Sequence, residues 1–141
     1  MSSHSLDDFK INIKIKLSTL WASVTFLYIY GDYFELYVPH KVQELISGDG
    51  VLDKPIKLFA ASLLLAIPSL MICLSVLLKS SINRLLNIIT GILFTVIMLL
   101  IAITSFSEWR LFYVFYAILE SILTSIIIWK AWNWTKNEHN I

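Results

Sequence analysis

Three carboxylates lie inside the apolar stretches of this chain. Asp32 and Glu35 belong to FLYIYGDYFELYVP, residues 26–39, and Glu120 belongs to ILESILTSIIIW, residues 118–129. Acids in such surroundings can hold a cation, pass a proton or serve as general acid and base. Tyr28, Tyr113 and Tyr116 recur near them at helical spacing, offering aromatic faces and hydroxyl donors. Asn87, on a separate apolar stretch, offers an amide to a buried carboxyl. Asp32, Glu35, Glu120, Tyr28, Tyr113, Tyr116 and Asn87 therefore form the candidate ligand-binding or ion-handling set. No catalytic residue, metal ligand or cofactor is expected. His4, His40 and His139 all fall outside the apolar stretches, which leaves no helix-borne histidine base.

The elements that must hold these residues read as membrane helices. The 141 residues are 57% hydrophobic and 15% charged, with a mean hydropathy of +0.75. A soluble domain is about half apolar and about a quarter charged. Four apolar blocks, at about 17–39, 56–78, 82–105 and 111–132, are each long enough to cross a hydrocarbon core of ~30 Å. The links between them are short, so one domain is expected: an all-α, transmembrane, up-down four-helix bundle. After Pro39, HKVQELISGDG places Val42, Leu45 and Ile46 on one helical face with Gly48 as a stop, which predicts a short interfacial helix after the first span. Asp49 and Asp53 match no calcium-loop spacing and read as a solvated turn.

Helical periodicity gives each span one polar or small face. These faces are Trp21, Tyr28, Asp32 and Glu35 on the first; Ser62, Ala66, Ser69 and Cys73 on the second; Asn83, Asn87, Gly91, Thr95 and Met98 on the third; and Tyr113, Tyr116, Glu120 and Thr124 on the fourth. Most of the small and amide residues serve as interhelical contacts, because lipid provides no hydrophobic drive for helices to associate. The lone Cys73 reads as a packing residue and cannot form an internal disulfide.

The ends of the spans carry their own signals. INIKIKL, residues 11–17, alternates apolar and basic residues and reads as an interfacial anchor, with Lys14 and Lys16 reaching lipid phosphates and Trp21 near the same interface. WKAWNW, residues 129–134, reads as an aromatic-basic belt. Residues 1–9 read as disordered. MSSHSLDDFK lacks the pattern of a cleavable leader, so the first span is expected to be an uncleaved signal-anchor. Lys10, Lys14, Lys16, Lys79, Arg84, Lys130 and Lys136 fall on one side of an up-down bundle, against Lys41, Lys54, Lys57 and Arg110 on the other. Seven against four predicts cytoplasmic termini.

The stretches LSTLWASVTFLYIYGDYFELYVP, IPSLMICLSVLLKSSINRLLNIITGILFT and ILESILTSIIIWKAWNW resemble a family of small prokaryotic four-helix membrane proteins catalogued as a domain of unknown function. Its sharper elements here are Leu17-Ser18-x-Leu20-Trp21, Tyr30-x-Asp32, Ile67-Pro68, Asn83-Arg84 with Asn87, Glu120 and the closing tryptophans. The resemblance implies a multi-pass protein of a prokaryotic cytoplasmic membrane and supplies no reaction or substrate.

Depth separates the acids. Counted from Leu17, Asp32 lies about 22 Å along its helix and Glu35 about 27 Å, near the outer surface. Glu120 lies about 15 Å beyond Arg110, near the midplane. A charge there costs roughly 2.5–3.5 kcal/mol. Three arrangements relieve that cost: a protonated carboxyl bonded to Asn87 or a tyrosine, a watery cavity shared with Asp32 and Glu35, or a cation from a ligand or second subunit.

The functional expectation is a cation, proton or small ligand handled in an acidic, aromatic-lined cavity between the first and fourth spans, with Tyr33 among its walls. The alternative is a structural or accessory membrane subunit, and a third reading is a small lipid- or isoprenoid-modifying enzyme. The expected partners are the lipid bilayer, a small cationic or amphipathic ligand and a second copy of the chain. A net charge of +1 without a basic stripe excludes nucleic acid.

Overall fold

A computed structural model describes residues 9–134. The expectations placed on residues 1–8, Lys136 and His139 lie outside the described residues. Within them the chain forms five α-helices and no strand: α1 (Ile13–Glu35), α2 (Lys41–Ser47), α3 (Pro55–Leu77), α4 (Ser80–Thr104) and α5 (Leu111–Trp132), with a 3-10 turn at Glu108–Arg110 before α5. The helices α3, α4 and α5, the last together with its 3-10 turn, are long and apolar enough to cross a membrane. The first helix has 23 residues, a sufficient length, but Ser, Thr, Tyr and Asp32 dilute its apolar character below that of the other three.

Local chemistry sets the helix ends. The Asn12 side chain accepts a hydrogen bond from the Lys14 amide at 2.9 Å, capping α1. INIKIKL is therefore mostly the first turns of a helix. The Lys14 ammonium turns inward instead of toward lipid, donating to the Leu78 carbonyl at 2.6 Å beyond the end of α3. Pro55 opens α3, where its missing N–H costs nothing. Gly48 ends α2 in the left-handed conformation at φ 75°, as its position after the apolar face predicted. Val42, Leu45 and Ile46 of α2 are exposed.

Helix α5 packs against both α1 and α4, and α1 packs against α3. The α4 and α5 faces match the periodicity closely. Asn83, Asn87, Gly91 and Met98 are buried on α4, and Glu120 and Thr124 are buried on α5. Thr95 and Thr124 join the two helices through hydroxyls 2.7 Å apart. A Cβ on Gly91 would come within 2.7 Å of Ile128 Cγ1, so the missing side chain is what lets α4 and α5 approach.

The α3 face differs from the one read by spacing. Pro68, Met71 and Ser75 are buried, whereas Ser62, Ser69 and Cys73 are exposed. A serine need not seek another helix: Ser62 satisfies its hydroxyl on the Phe59 carbonyl of its own turn at 2.7 Å. Trp21 also departs from the interfacial role. It is wholly buried, edge-on to Phe94 at 6.2 Å between ring centres.

Candidate functional site

Two polar centres lie at different depths. The first begins at Trp21, whose indole N–H donates to Asn87 Oδ1 at 2.7 Å. The Asn87 amide donates to Asn83 Oδ1 at 2.6 Å, and the Asn83 amide donates to the Ser75 carbonyl. The Ser75 hydroxyl reaches Asn87 Oδ1 at 3.4 Å. One buried network thus ties α1, α3 and α4, with each polar side chain engaged. Asn87 is spent in it and does not meet Glu120.

The second centre is a cavity of about 200 Å³. Helix α1 contributes Tyr28, Gly31 and Asp32, and α5 contributes Tyr113, Tyr116 and Glu120. Helices α3 and α4 close the other side with apolar residues, among them Leu64, Leu65, Phe94 and Met98. Asp32 stands about 16 Å along α1 from Trp21, at 1.5 Å per residue, which separates this centre from the amide network. The cavity therefore has four helical walls, where the sequence pointed to two.

Glu120 is 3% exposed, and its side chain receives no hydrogen bond from any described residue. Tyr28 is 9% exposed, and its hydroxyl also lacks a protein partner among the described residues. Asp32 sits at the rim, exposed, close enough to Glu120 for their charges to interact. Buried polar atoms are ordinarily hydrogen-bonded; among the described residues the Tyr28 hydroxyl and Glu35 Oε2 lack a protein partner, and of these two only Tyr28 lines the cavity. Water or a ligand in the cavity would complete the Tyr28 hydroxyl.

The remaining candidates fall outside the cavity lining. Glu35 closes the seam between α1 and α5, accepting from Arg110 Nη2 at 2.5 Å, with Lys41 Nζ 3.4 Å away. Arg110, 75 residues away, and Lys41, just beyond the end of α1, were the missing partners: they meet Glu35 only once the turn before α5 and the link after α1 are built. Tyr33 points away and shares a hydrogen bond of 2.8 Å with Tyr37 on the surface. Sharing raises the phenol of Tyr37 above its ordinary range. Asp53 pairs with Lys57 at 2.5 Å, consistent with a solvated turn.

A model of a family of unknown function, DUF6326, matches residues 6–140. The chain belongs to that family. No curated protein and no solved structure matches it. Membership in DUF6326 carries no reaction, substrate or partner, so the chemistry of the cavity has to speak for itself. Two carboxylates and three tyrosines thus line the cavity from α1 and α5, with Phe94 of α4 among the apolar residues opposite.

Proposed function

We propose that this is an integral membrane protein in which α1, α3, α4 and α5 form an up-down four-helix bundle, and that the bundle binds a cation or cationic small molecule at Asp32 and Glu120. The observation that carries this reading is the buried Glu120 carboxylate, which lines a cavity and has no donor among the described residues. A carboxylate kept so deep without a partner is costly, and a guest cation or a bound proton removes that cost. Tyr28, Tyr113 and Tyr116 then act as hydroxyl donors and aromatic walls. Glu35 and Asn87 belong to the scaffold: one in the ion cluster with Arg110 and Lys41, the other in the amide network with Trp21.

The test uses the full chain in nanodiscs, titrated with tetramethylammonium as the probe. Saturable binding to the unaltered protein is expected, weakened about tenfold or more by Glu120→Gln, since the Coulomb attraction between carboxylate and ammonium is lost. Asp32→Asn should weaken it less, because Asp32 is exposed at the rim. Equal binding to all three proteins, with unchanged helicity by circular dichroism, would defeat the proposal. That outcome would favour the accessory-subunit reading, which has its own support in the self-contained amide network.

A further inference from the structure

We infer that the cavity is entered from the bilayer, between α3 and α4, and that its ligand is an amphipathic cation: the charged head rests against Glu120 and Asp32, and the apolar tail leaves through that gap. This rests on the cation-binding reading above and names its substrate class and route.

The cavity is two-sided in its chemistry. Its acids and tyrosines come from α1 and α5, while α3 supplies only Ala61, Leu64 and Leu65. A small hydrophilic cation would be better served by polar groups on every wall. A head with an attached chain matches one acidic wall and one apolar wall. The volume, about 200 Å³, accommodates a small ammonium head but not a long alkyl chain as well.

The route follows from where α3 stops packing. The buried residues of α3 are Pro68, Met71 and Ser75, all in its second half. There the Asn83 amide bonds to the Ser75 carbonyl and holds α3 to α4. In the first half of α3 no residue is buried, and Leu64 and Leu65, which line the cavity, are 37% and 40% exposed. The same side chains thus face both the cavity and the outside, so this wall is one residue deep. On the opposite side α1 and α5 are drawn together by the Glu35–Arg110 pair. Apart from the rim at Asp32, this thin wall is where the cavity opens, and in a bilayer-spanning bundle an alkyl tail leaving through it enters hydrocarbon.

The test compares tetramethylammonium with octyltrimethylammonium, titrated into the full chain in nanodiscs lacking choline lipids. Octyltrimethylammonium should bind more tightly, because about two buried methylenes are worth about tenfold in affinity. Glu120→Gln should weaken both ions and supplies the background for partitioning into lipid. Ala61→Phe, which bulks the α3 side of the gap, should lower the octyl-to-tetramethyl affinity ratio about tenfold. Leu64→Phe serves as a second variant, and circular dichroism checks that each protein folds. An unchanged ratio in the folded variants, with Glu120→Gln still weakening both ions, would sink the lateral route and leave the cation reading standing. Failure of Glu120→Gln to weaken either ion would sink the cation reading itself. Adding choline lipid to the nanodiscs then distinguishes two sources of the same chemistry: competition points to a lipid headgroup, and no competition to a free amphiphile.

Discussion

At the scale of single residues, the two polar centres respond oppositely to loss of a polar atom. Asn87 accepts from Trp21 and Ser75 and donates to Asn83, so Asn87→Ala strands a buried indole N–H. An unpaired buried donor costs about 1–3 kcal/mol, at the lower end within a membrane, where partners can be exchanged. Asn87→Ala should therefore lower the thermal midpoint measurably in detergent. Tyr28→Phe removes a hydroxyl that has no protein partner among the described residues. It should leave the midpoint unchanged or raise it, while weakening cation binding at the cavity. A large loss of stability in Tyr28→Phe would mean that the hydroxyl is structural. Tyr28 and Glu120 line the cavity and Asn87 does not, and the sequence could not separate them for one reason. Periodicity reports which face of a helix a residue occupies but not which residue on another helix lies at the same depth. Asn87 and Glu120 share an inward direction and differ in depth, so only the packed helices separate them.

At the scale of helices, legibility depended on contrast. On α4, Asn83, Asn87 and Gly91 stand out against Leu and Ile and must turn inward, and they do. On α3 nearly every residue is apolar, so the few serines dominated the reading, although a serine can bond its own backbone and face lipid. Trp21 misled because tryptophan suits both the headgroup region and a buried site where its N–H finds a partner. The ends of α1 were legible only in part: Asn12 caps the helix and Glu35 ends it, four residues before Pro39. Gly91 makes the sharpest prediction at this scale. Alanine there would press on Ile128 along the α4–α5 seam. Overpacking costs typically ~1–3 kcal/mol, so Gly91→Ala should lower the thermal midpoint, and Gly91→Ala with Ile128→Ala should recover part of the loss. A stable single variant would show that the seam yields without strain. Gly31, by contrast, faces Tyr113 at an ordinary contact distance of 3.7 Å, and Gly31→Ala should fold normally.

At the scale of the whole molecule, the helix ends sort into two sets. Lys14 bonds to the Leu78 carbonyl, and Arg84 Nη2 bonds to the Trp132 carbonyl at 2.9 Å, so the start of α1, the α3–α4 link and the end of α5 gather at one end. Glu35, Lys41 and Arg110 gather at the other. The ties of Lys14, Arg84 and Arg110 reach partners 64, 48 and 75 residues away, which is why these basic residues were legible as charges but not as helix ties. The basic residues of the first end outnumber those of the second, and basic residues near helix ends are retained on the cytoplasmic side of a membrane. Lys14 and Arg84 bond to backbone carbonyls and not to acids, so their structural role does not cancel their topological one. A reporter active only in the cytoplasm, fused after Trp134, should be active, and one fused into the Gly48–Lys54 link should be silent. The difference in basic residues is modest, which gives the prediction its sensitivity: replacing Lys79 and Lys130 with glutamine while adding lysines at Asp49 and Asp53 should shift a measurable fraction of molecules to the inverted topology. Reporter activity that ignores this exchange would show that the order of insertion of α3, α4 and α5, rather than the distribution of charge, fixes how the molecule sits.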